Sequence, residues 1–102
     1  METIVPENLC KDKYWKPILY LFKNHYRLSQ CFNKKYFDLE NGEIKISSLK
    51  RASAPWSNTE KFMLSLALHL YNERHKVNLS DMDYLDQTNL KLAFEAMEMR
   101  FS

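Results

Sequence analysis

Ser65, His69 and Glu73 recur at every fourth position of the stretch "SNTEKFMLSLALHLYNE", so on a helix they share one face. A hydrolase would use such a set with Ser65 as nucleophile, His69 as base and Glu73 orienting the base. Side chains along one straight helix seldom reach the alignment a nucleophile needs, and no oxyanion donors are evident. The same spacing arises on a solvated helical face with local i,i+4 hydrogen bonds. That is the preferred reading, and no enzyme activity is expected.

Asp81, Asp83 and Asp86 cluster in the manner of a cation site. A calcium loop, however, needs a glycine at its sharp turn and a bidentate glutamate at the right distance, and neither is present. Acids favoured by the backbone dipole at helix starts explain the cluster better. Cys10 and Cys31 lack C-x-x-C spacing and form no ligand pattern with His25, His69 and His75. No metal or other cofactor is expected. The cysteines are read as ordinary reduced thiols, and a disulfide requires a fold that brings the two together.

Charge is the remaining chemical signal. The formal net charge of +2 is too small to imply nucleic-acid binding by itself. Its distribution is uneven. The first 56 residues hold 10 basic and 6 acidic side chains, and the remaining 46 hold 5 and 7. Within the basic half, "KDKYWK" and "NKKYF" interleave lysines with aromatics, a combination that grips phosphates and stacks on bases. Arginine, better suited to phosphate forks and base edges, is scarce there at Arg27 and Arg51. Direct nucleic-acid binding by the basic N-terminal half is therefore the alternative reading.

These residues must be positioned by helices. The 102 residues are read as one helical domain, 1–102, with 45% apolar and 14% aromatic side chains. A single glycine and three prolines argue against a β-rich chain and against a glycine-rich phosphate cradle. No apolar run approaches the roughly 20 residues of a membrane span. The first residues, "METIVPENLCKDK", do not look like a secretion signal, so a cytoplasmic location is expected.

Residues 1–11 are read as extended. Asp12 caps a first helix to about Asn24, with Trp15, Ile18, Leu19, Phe22 and Tyr26 as its core stripe and Pro17 on the opposite side, in the first turn or at a kink. Ser29 starts a short turn through Phe32 to Tyr36. Asn41-Gly42 predicts a small hairpin between "YFDL" and "EIKI", with positive φ at both positions. "SSLKRASAPW" is read as an irregular connection. Ser57 and Glu60 have capping-box spacing and open the central helix, about 58–73, of a compact three-helix core. Its polar sector is Asn58, Lys61, Ser65, His69, Asn72, Glu73 and Lys76. A brief turn follows at Ser80 and Asp81.

Asp86 then caps a last helix, about Gln87–Arg100, with two apolar strips. Leu90, Ala93, Phe94, Met97 and Phe101 line one face, Leu92, Ala96 and Met99 form a second strip nearly opposite, and both need cover. With Phe62, this second strip suggests exposed apolar surface for a partner or a homodimer. The competing expectation is that Ile4, Val5 and Leu9 fold over it. The fold class is mostly α with a minor β-hairpin.

Pro55-Trp56 before a helix, "LALHLYN" at 66–72 and "LDQTNLKLAFEAMEMRF" at 85–101 carry a resemblance. The C-terminal half resembles a family of short uncharacterised proteins from phages and mobile elements of low-GC Gram-positive bacteria. That resemblance implies an origin and no catalytic residues. Small phage proteins often bind and disable a host protein, including components of antiviral systems. The expected function is thus a non-enzymatic interaction protein that inhibits a host macromolecule. A defence nuclease, alone or as a nucleoprotein complex, is one concrete target, as for an anti-CRISPR protein. Expected contacts are Lys34, Lys35, Tyr36, Lys50 and Arg51 around the hairpin, or Leu92 and Met99 on the last helix.

Overall fold

The computed structural model describes residues 5–102, so Ile4 and its expected place over the last helix lie outside the described residues. Five α-helices run in the order α1 (Glu7–Lys11), α2 (Trp15–Asn24), α3 (Ile46–Ala52), α4 (Asn58–Tyr71) and α5 (Gln87–Phe101). A two-residue antiparallel pair, β1 (Phe37–Asp38) and β2 (Glu43–Ile44), lies between α2 and α3. Two 3₁₀ turns complete the chain at Leu28–Cys31 and Leu79–Tyr84. The protein is mostly helical with a minor hairpin, as the sequence predicts.

Helix starts follow their local chemistry. Asp12 Oδ1 accepts from the N–H groups of Tyr14 and Trp15, so the expected capping residue holds the start of α2 from outside the helix. Ser57 Oγ accepts from Glu60 N–H, and the Glu60 carboxylate accepts from Ser57 N–H, closing the capping box of α4. Asp86 Oδ1 accepts from Asn89 N–H and opens α5.

The hairpin leans on α2 as a marginal ribbon must. Phe37 sits edge-on to Phe22 at 4.9 Å and to Phe32 at 5.2 Å, with Trp15 at 6.5 Å. Its loop differs from the expected one. Only Gly42 takes a positive φ, of 64°, while Asn41 hydrogen-bonds the Asp38 carboxylate through its side chain and its own N–H.

Buried side chains of α2 and α4 build most of the core. Ile18, Leu21, Phe22, Met63, Leu66 and Leu68 are fully enclosed, joined by Leu28 and Leu49. α2 touches α1, the Leu28–Cys31 turn, α4 and α5, which explains why Pro17 is buried rather than on an open face. Tyr26, assigned to the core stripe, is exposed because α2 ends at Asn24. Phe62, expected near an exposed edge, is buried.

Three segments depart from their predicted form. Part of the supposedly extended N-terminal arm is α1, and its Leu9 packs into the core near Gly42. The turn expected from Ser29 through Tyr36 is centred earlier, at Leu28–Cys31. The connection read as irregular contains α3, which buries Leu49. No side chain caps α3 at Lys45, so no local signal marks its start.

α5 shows the largest rearrangement of expectation. Its buried residues are Asn89, Ala93 and Ala96, a seam of short side chains running between the two apolar strips. This seam lets α5 lie closely along α2, where the Tyr20 hydroxyl donates to the Glu95 carboxylate. Burial, then that hydrogen bond, pushes the Tyr20 phenol up to about 12. Phe94 and Phe101, on the first strip, are left 55% and 69% exposed.

Candidate interaction surface

The start of α4 carries a dense polar cluster, all of it tied into the fold. Glu60 is only 4% exposed, and its carboxylate accepts from Ser57 N–H, from the Tyr26 hydroxyl and from Arg27 Nε at 2.9 Å. Burial alone would raise the Glu60 pKa, but the Tyr26, Ser57 and Arg27 hydrogen bonds bring it down to about 2. The Arg27 guanidinium also lies over the rings of Tyr26 and Trp56, each at 5.8 Å from the centroid. Arg27 is therefore committed to joining α2's exit to α4's first turn.

Beside this cluster His25 is 1% exposed. Its Nδ1 accepts from the N–H groups of Arg27 and Leu28, which fixes the neutral ring with hydrogen on Nε2. His25 Nε2 and Asn89 Oδ1 are both buried and meet no other polar group, and the Asn89 side chain is the hydrogen-bonding neighbour that acts on the His25 ring. Burial holds the His25 pKa below its ordinary value; Asn89, Glu60 and Asp86 oppose that shift more weakly. These groups are buried where the exit of α2 meets the starts of α4 and α5.

Along α4 the Ser65, His69 and Glu73 set does not assemble. His69 Nδ1 lies 2.8 Å from the carbonyl oxygen of His75, so it donates and fastens the chain beyond the helix. α4 stops at Tyr71, short of the expected end, and Asn72 is extended. Glu73 thus stands off the helix, outside the i,i+4 relation to His69. Ser65 lines a shallow cleft of about 270 Å³ with Asn58, Lys61, Lys76, Asp81 and Tyr84. The polar sector of α4 is in this way one wall of an open groove, with the 76–84 segment as the other.

The end of α4 differs in kind. Arg100 Nε donates to the Leu70 carbonyl at 3.2 Å, capping α4 at the end where its dipole is negative. The turn after Asn72 then presents Arg74, His75 and Lys76. Burial lowers the His75 pKa first, and the charges of Lys50 and Arg74 lower it further. Lys50, from the last turn of α3, is thus near enough to act on His75 electrostatically, as Arg74 does. Among the described residues, Lys50, Arg74 and Lys76 make no ion pair.

The expected contact residues divide between places. Lys50 and Arg51 are exposed on α3, with Lys50 in the basic cluster. Lys34 and Lys35 are exposed before β1, where Lys35 acts on Cys31 and stacks over Tyr36 at 5.4 Å. Tyr36 is 8% exposed and packs in the core, so it is corrected from a contact to a packing residue. Leu92 is half-buried against the core, and Met99 is exposed. Cys10 is exposed and Cys31 buried; both are free thiols, and burial pushes the Cys31 pKa up.

Arg74 and His75 were not among the expected contacts. The run "NERHK" at 72–76, just past a helix end, was the available signal. No family model, curated protein or solved structure matches this chain. No described helix is long and apolar enough to cross a membrane.

Proposed function

We propose that this protein is a non-enzymatic binder that inhibits a macromolecule of its host cell's cytoplasm by covering a surface of it. A nuclease of an antiviral defence system, free or carrying its nucleic acid, is the concrete target we favour. The observation that carries the reading is the set of exposed, unpaired basic side chains Arg74 and Lys76 past α4 and Lys50 on the last turn of α3, of which Lys50 and Arg74 both act on His75. Positive charges near one another disfavour the isolated protein, and an acidic partner surface relieves that cost. The phage-like pattern of residues 66–72 and 85–101 supports the choice of a host target, on sequence grounds alone.

Expression in a Gram-positive host carrying a nuclease-based defence tests this. Phage plating efficiency rises by at least about tenfold with the wild-type chain and returns to baseline with Lys50→Glu/Arg74→Glu. Plating unchanged by the wild type contradicts the proposal.

The same cluster favours a second reading, direct binding to a nucleic-acid backbone. Titration with duplex and single-stranded DNA at two salt concentrations separates the two. Affinity that falls steeply with salt and is lost in Lys50→Glu/Arg74→Glu supports the second reading, and absence of binding at low salt removes it.

A further inference from the structure

We infer that α5 pairs with α5 of a second copy of this chain, antiparallel and about a two-fold axis. Leu90, Phe94, Met97 and Phe101 follow each other at intervals of four, three and four residues, the spacing of a helix-pairing seam. The core lies on a different side of the helix, at Asn89, Ala93 and Ala96, so this seam faces outward. Phe94 and Phe101 are mostly exposed, Leu90 is half-buried, and Met97, at the inner edge of the seam, is half-buried against the core. Leu9 does not cover the seam, because it packs into the core near Gly42.

Charge along one edge selects the occupant. Lys91 follows Leu90 and Glu98 follows Met97, so the two line the same edge of the seam, two turns apart. Both are exposed, and neither is in an ion pair among the described residues. An antiparallel two-fold sets Leu90 against Phe101 of the second copy and Phe94 against its Met97. The same register, through the edge-to-edge contacts of antiparallel coiled coils, brings Lys91 to the second copy's Glu98 and Glu98 to its Lys91. A parallel pair sets each charge at the height of its own copy and loses this match.

One helix pair buries less than a standard interface of roughly 1,200 Å², so the dissociation constant should be on the order of 10–100 µM.

Sedimentation equilibrium of the full chain, from about 5 to 500 µM, tests the pairing. The mass rises from the 12.3 kDa of one chain toward twice that value. Lys91→Glu and Glu98→Lys each weaken association at least about tenfold, since each sets like charges against one another at both edge contacts. An equimolar mixture of the two variants associates again, because every edge contact in the mixed pair is then Glu against Lys. Met99→Glu, off the seam, leaves association unchanged. A wild-type chain that stays at one-chain mass overturns the inference. So do single variants that associate as the wild type does, a mixture as weak as its components, or Met99→Glu abolishing association.

Discussion

The two ends of α4 use charge in opposite ways. At its start, Glu60 is buried and receives hydrogen bonds from Ser57, Tyr26 and Arg27, with Arg27 laid over two aromatic rings. Beyond its far end, Lys50 and Arg74 both act on His75, and neither is in an ion pair among the described residues. Charge that is buried and fully hydrogen-bonded holds segments of chain together, and removing one partner strands the others. Charge left exposed and unpaired adds little to stability and remains available to a partner. The contrast places the fold's polar clasp at the start of α4 and the candidate binding surface beyond its end.

The largest expected effect strikes the clasp. Glu60→Ala removes the capping box and leaves Arg27 and Tyr26 without their acceptor, costing about 3 kcal/mol in urea unfolding. Acidification reaches the same region in two stages. His25 is kept neutral by burial and binds its proton more readily in the unfolded chain, so stability falls as pH drops below about 6.5. Glu60, with its pKa lowered to about 2, holds a contribution that is complete above its ordinary value and is lost as pH falls toward 2. Urea midpoints measured from pH 8 to pH 2 should show both declines, and a flat profile between pH 7 and 5 would count against a neutral, buried His25.

Smaller changes sharpen the comparison. Ser57→Ala costs about 1 kcal/mol, a capping contribution without the buried charge. At the other end, Lys50→Gln or Arg74→Gln removes a repelling charge from His75. Its imidazole pKa, followed by NMR, should rise toward the ordinary value in either variant.

What the sequence made legible was local. The Ser57–Glu60 box, the Asp86 cap and the hairpin at Gly42 each depend on residues within a few positions, and each formed where expected. α3 escaped notice because no side chain caps it and only Leu49 among its residues is deeply buried. The facing of α5 was not legible either. Two apolar strips offered two candidate cores, and the packing chose the small-residue seam between them. Close approach to α2 required short side chains more than large apolar ones. Lys50 was singled out, but its companions come from a distant turn, and only the fold brings them together. Tyr36 follows Lys34 and Lys35 and was expected as a partner contact, yet it turns into the core.

The division of α4 into a clasping end and an unpaired end is tested most directly by the urea midpoint of Lys50→Gln/Arg74→Gln. The two charges add nothing to the fold on this account, so the double variant should unfold within about 0.5 kcal/mol of the wild type or be slightly more stable. A loss as large as that of Glu60→Ala would mean that the basic cluster, too, holds the fold together, and would contradict the account.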